Sequence, residues 1–240
     1  NGNTAQRYTI DFEALEREAA DPKCKLFILC NPMNPVGSVL TQSEIDRIAA
    51  ICNKNNVTLC SDEIHCDLIL EPGKSHIPAG REAALAENSI TLMAASKTFN
   101  VAGLGTSFAI IPNAKLRQAF TSAAAGIVPW VTVLGLAATE ADFTLCDDWH
   151  QAQLSYLREN RHKVFNAINQ IEGLSVLKAD ATFLAWVDAS GLNVDNVLSW
   201  AEEKGVGPSP GVDFHKADHF RINFGCSSAM LDDILSRLAK

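Results

Sequence analysis

Three short apolar runs constrain this chain more than any other feature. They are 25–30 (KLFILC), 57–61 (VTLCS) and 90–93 (ITLM). Each is too short for a helix and bounded by turn or polar residues, which predicts buried strands. Before the first run, apolar Phe12, Leu15 and Ala19 have helical spacing behind an acidic first turn. Between the first two, Thr41 and Glu44 form a capping-box pattern that opens a helix running to about residue 53. A further strand over 107–111 and a helix from Asn113 to about 125 continue the alternation. Strands alternating with helices predict an α/β fold, a mostly parallel sheet with helices on both faces.

Sheets of this kind bind ligands beyond the carboxyl ends of their strands. The loops after the first three runs hold Asn34, Asp62 and Lys97. Asn34 lies in a turn, 31–37, with two prolines and a glycine. Lys97 follows the third run and precedes a glycine-rich turn at 102–105. A lysine at a strand's end, in a partly apolar pocket, has its charged form disfavoured, and the free amine becomes a nucleophile. Taken singly, each residue has a plainer reading: a surface lysine, a helix N-cap for Asp62, a turn residue for Asn34.

Beyond Pro129 the pattern changes. Helices are expected over 130–143 and 147–171, the second with its charges on the outer face. Strands at 174–177 and 183–187 alternate as half-buried strands do, and a helix at 194–204, a strand at 219–224 and a closing helix at 227–240 follow. This describes a smaller α+β unit. A boundary within the long helix near 150 divides the chain into domains 1–150 and 151–240. The apolar stretch 127–138 falls short of the ~20 residues that cross a bilayer and reads as a buried helix.

A net charge of -8 and a pI near 5.2 argue against nucleic acid as a partner. The seven cysteines have no CxxC spacing and no accompanying histidine cluster. They are expected to be free thiols in a reducing compartment, the cytoplasm, with no metal site. The chain opens at Asn1 rather than Met, and 1–4 reads as a loop, so a piece of something longer is expected.

Four motifs occur in order: Asn-Pro-Met-Asn-Pro-Val-Gly (31–37), Ser-Asp-Glu-Ile-His (61–65), Ser-Lys-Thr-Phe-Asn (96–100) and Arg-Ile-Asn-Phe-Gly (221–225). Together they resemble the fold-type I enzymes that use pyridoxal 5'-phosphate (PLP), the class I/II aminotransferase superfamily. The wording at 61–65 and 96–100 is most similar to its cystathionine β-lyase (C–S lyase) branch. The resemblance implies part of a PLP-transferase large domain followed by the small C-terminal domain. It implies that Lys97 carries PLP and moves the Cα proton, and that Asp62 pairs with the pyridine nitrogen. It also implies that Asn34 bonds the phenolic oxygen, that Ser96 contacts the phosphate, and that Arg221 grips the substrate carboxylate. A guanidinium fork suits that planar group, although an ordinary salt bridge is the plainer alternative for Arg221.

The chain also departs from the pattern. His65 stands where many aminotransferases have tyrosine, and either touches the cofactor or fills a polar pocket. Gly105 stands where many relatives have a phosphate-binding arginine, and Asp213-Phe214-His215 replaces the usual Phe-Gly loop. The family's glycine-rich phosphate loop, its ring-stacking aromatic and the first sheet strands have no counterpart, which leaves two sheet edges unpaired. The function this implies is β-elimination on a sulfur amino acid such as cystathionine, giving thiol, pyruvate and ammonia, in a homodimer. Transamination, or a truncated, non-catalytic regulatory role, are the alternatives.

Overall fold

The computed structural model describes residues 7–81, 85 and 87–240; the loop expected at 1–4 lies outside them. One sheet comprises β1 (Leu26–Cys30), β2 (Thr58–Asp62), β3 (Ser89–Met93) and β4 (Phe108–Ile110), in that spatial order. The first three are parallel, and β4 turns back antiparallel on β3. Helices α1 (Phe12–Ala19) and α2 (Gln42–Lys54) cover one face, and α3 (Ala114–Ala124) places Leu116 on the other. The expected capping box is present: Thr41 and Glu44 bond each other's backbone N–H. It starts α2 so that Ile45, Ile48 and Cys52 seal against Leu29, Val57 and Leu59. Both outer strands expose apolar side chains, Leu26 and Ile28 on β1 and Phe108 and Ile110 on β4.

Helix α4 (Val133–Leu145) leads into α5 (Asp147–Ile168), and these are followed by β5 (Ser175–Val176), β6 (Leu184–Asp188), α6 (Val197–Glu203), β7 (Ser209–Pro210), β8 (His219–Asn223) and α7 (Ser228–Leu238). The second sheet is antiparallel, in the order β5-β6-β8-β7. Its core joins Leu157, Val164 and Ile168 of α5 to Val187, Phe220, Ile222, Leu231 and Leu235. Leu68 and Leu70, from the segment after β2, are buried in the same core.

The two sheets meet along a backbone seam. Leu70 and Glu71 N–H donate to the Asp180 carbonyl, Thr182 N–H to Leu68, and Ala181 N–H to Gly37. Gly37 has φ +68°, and a Cβ there would stand 2.5 Å from Ala179 Cβ, so only glycine permits this approach.

Four expectations are corrected. The stretch 127–138 is not a buried helix: α4 begins at Val133, after the Thr132 cap, and Ile127, Trp130, Val133 and Leu134 are exposed. Its apolarity called for a cover that the sequence pattern does not identify. Strand β6 does not alternate, because Leu184 to Val187 are all buried, Ala185 and Val187 in the core with α5 and Trp186 against Phe214 and His219. Arg161 of α5 does not lie on an outer face; it is buried, donating to the Ala179 and Leu70 carbonyls and pairing with Glu71 at 3.0 Å. The short strand β7 had no expected counterpart, since two residues make no period.

Asn160, also buried on α5, donates to the carbonyls of Phe224 (2.9 Å) and Cys226 (3.1 Å), fixing the chain just after β8. Replacing it with alanine removes the donor from both carbonyls, that of buried Phe224 and that of half-buried Cys226. Asn160→Ala is expected to lower stability by about 1–3 kcal/mol. Urea denaturation checks this, and an unchanged midpoint would show that water replaces the amide.

Candidate active site

Lys97 lies in a tight turn after β3, closed by Phe99 N–H to Ala95 O and Val101 N–H to Ser96 O. Asn100 ends the turn in the left-handed region, φ 57°. Ala94, Ala95 and Thr98 are buried, and the Phe99 ring packs on Phe143, Trp149 and His150. The turn is therefore anchored on both sides of the lysine. Lys97 itself opens into a cleft of ≈ 340 Å³, which Trp149, Gln153, Tyr156, Phe183 and Asn223 also line.

Asp62 is the last residue of β2, opposite Leu92, and its carboxylate accepts the Ile64 N–H at 3.2 Å. Its neighbour Glu63 points elsewhere. It is buried, bonded to Ser61 Oγ, to Ala79 N–H and to His76 Nε2 at 2.7 Å, and pins the loop that follows. His65 is 4% exposed, edge-on to Phe183, and its Nδ1 has no hydrogen-bond partner. Burial pulls its pKa from 6.5 down to about 4; Asp62 opposes this, and Lys97 and Arg221 add to it. Residues from three of the four motifs thus act on one imidazole.

Arg221 sits on β8, beside Ser209 of β7 and Trp186 of β6. Its Nη1 donates to Asn34 Oδ1 at 2.8 Å and its Nη2 to Ser209 Oγ at 2.9 Å. Burial lowers the guanidinium pKa, and Asp213 opposes that effect. Thr182 carries φ 72°, which a β-branched residue rarely adopts. Its bond to Leu68 O and the Leu184 N–H on its Oγ1 hold it there, and so Phe183 is turned toward His65.

The structure therefore gathers Lys97, Asp62, His65, Asn34 and Arg221, with Ser96 half-buried at the start of the lysine turn. Sequence reasoning missed Trp149, Gln153 and Tyr156. Their i, i+4, i+7 spacing places them on one face of α5, and that spacing was the available signal. It also missed Phe183, delivered by the strained Thr182. Gly105 is left-handed, φ 58°, with open space around it, so no side chain reaches in from there. Among the described residues no His, Cys, Asp and Glu cluster could hold a metal, the cysteines are free thiols, and no helix is long and apolar enough to cross a membrane.

A histidine whose pKa is lowered on folding costs stability as the pH falls, because only the unfolded chain gains the proton readily. The loss begins near pH 6.5 and is complete near pH 4, about 3 kcal/mol in all. His65→Gln is expected to lack this part of the acid sensitivity. Stability measured from pH 7 to pH 4 for both proteins checks it, and parallel curves would contradict the buried neutral imidazole.

The family model for aminotransferase class I and II matches residues 2–238. Cystathionine beta-lyase PatB of Bacillus subtilis (strain 168) is 35% identical over 239 residues, 96% of this chain and 62% of that protein. Among solved structures, that of OvoB is 42% identical with TM-score 0.93, covering 97% of this chain and 61% of that one. Cystalysin from Treponema denticola, described as containing a pyridoxal 5'-phosphate cofactor, is 31% identical with TM-score 0.92, covering all of this chain and 62% of that one. The chain thus spans about three fifths of the length of these relatives.

Proposed function

Because the chain belongs to the aminotransferase class I and II family, whose members use PLP, we propose that it carries the active-site residues of a C–S lyase. The reaction is β-elimination on cystathionine- or cysteine-type amino acids, giving thiol, pyruvate and ammonia. The lyase outcome draws its support from the relatives' names, PatB among them. In this reading residues 1–150 belong to the cofactor-binding domain and 151–240 form the small domain. The free cysteines suit a cytoplasmic protein, and the exposed apolar residues at 127–136 suit a homodimer.

The observation that carries the reading is the Arg221–Asn34 hydrogen bond, formed beside the charges that converge on His65. PLP, when bound, supplies the electron sink for a carbanion at Cα. The residues fit that group. Lys97 offers the primary amine that holds it, and on release can take the proton from Cα. Asp62, at the strand end, keeps the pyridine nitrogen protonated. Asn34 has its Oδ1 occupied by Arg221, so its Nδ2 remains to donate to the phenolic oxygen. His65 is neutral near pH 7, so it adds no charge beside that site. Ser96, next to the lysine, offers a hydroxyl to the phosphate. Arg221 keeps N–H groups beyond its two bonds, and these receive the α-carboxylate.

In its full-length context, the protein supplied with L-cystathionine is expected to release pyruvate and free thiol together. Lys97→Ala should lower kcat by about a thousandfold. Arg221→Ala should raise KM by about 10- to 100-fold, with a smaller effect on kcat. Coupled pyruvate and thiol assays measure all three. A 2-oxo acid that retains the substrate's carbon chain would replace the lyase reading with transamination, and no turnover would favour the non-catalytic one.

A further inference from the structure

Arg221 is held from a third side that neither hydrogen bond supplies. The short 3-10 turn Gly211–Phe214 folds back on β8, with Lys216 N–H bonded to Gly211 O. A Cβ at residue 211 would collide with the carbonyl oxygens of Lys216 and His219, so glycine is required for this return. His215, at φ 59°, closes the turn. The result brings the Phe214 ring to Arg221, with Cζ 5.0 Å from the ring centroid.

Behind the ring stands a support. Trp186 is buried, directly across the strand pair from Arg221, and edge-on to Phe214 with centroids 5.3 Å apart. Trp186 is in turn backed by the buried His219 ring at 5.1 Å, and Asp218 holds His219 Nδ1 at 2.8 Å. Asn34 and Ser209 each bind one terminal nitrogen of Arg221. Two such bonds leave the guanidinium free to rock about the line joining them. A ring against it removes that motion and adds cation–π attraction.

We propose that Phe214 is a positioning residue for Arg221, an aromatic shelf that holds the guanidinium in one orientation for a substrate carboxylate. This rests on the reading of Arg221 as the carboxylate receptor. The shelf acts through Arg221 on any substrate with an α-carboxylate, whatever its side chain.

The test uses the chain with its arginines labelled with 15N, and propionate as the carboxylate probe. NMR follows both the rotation of the Arg221 guanidinium and the Kd for propionate, in wild type, Phe214→Leu and Phe214→Tyr. Leucine keeps Trp186 covered, and a melting curve confirms folding. Phe214→Leu is expected to speed guanidinium rotation and weaken propionate binding about tenfold, and Phe214→Tyr to stay within about twofold of wild type. Wild-type values of both quantities in Phe214→Leu would overturn the proposal. If wild-type Arg221 does not respond to propionate, the carboxylate reading fails, and rotation alone decides: faster in Phe214→Leu supports the shelf, unchanged removes it.

Discussion

The Arg221–Asn34 hydrogen bond spans the two sheets, and the site depends on the seam that allows it. Asn34 belongs to the turn after β1, and Arg221 to the central part of the second sheet. They meet because Gly37 lets its turn press against Ala179 and Ala181, and because Leu68, Leu70 and Glu71 bond into the same segment. Leu68 and Leu70 then bury themselves in the second core. A side chain at position 37 would push the sheets apart where the arginine must reach the asparagine.

The same seam sets the electrostatics. A buried histidine beside a carboxylate would ordinarily gain a proton from the pairing, yet desolvation wins at His65, and the two cations Lys97 and Arg221 act in the same direction. The imidazole therefore contributes a neutral polar atom. Asp62 is left as the carboxylate among these groups, since Glu63 spends both oxygens on Ser61, Ala79 and His76. Adjacent acids in the sequence thus serve separate purposes, one acting on His65 and one fastening the loop.

Much of the fold could be read from local signals. Asp11, Thr41, Asn113 and Ser227 each cap a helix with a side-chain acceptor, and such bonds depend on a few neighbouring residues. The candidate site could be read as residue types in order, but its geometry could not. That Arg221 bonds Asn34 and Ser209, or that Thr182 is strained to deliver Phe183, depends on contacts between distant segments. Burial failed in both directions for one reason. Arg161 goes inside because the carbonyls of Leu70 and Ala179 await it, and the stretch around Trp130 stays outside because nothing described here packs on it. Polarity states what a residue can tolerate; its neighbours decide where it lies.

The proposed chemistry depends on the Lys97 amine carrying the cofactor. Adding PLP to the purified protein, reducing with borohydride and mapping the modified peptide by mass spectrometry decides this. A phosphopyridoxyl group is expected on the peptide containing Lys97, and none after Lys97→Ala. A label on another lysine, or no label on Lys97 in the full-length protein, would contradict it.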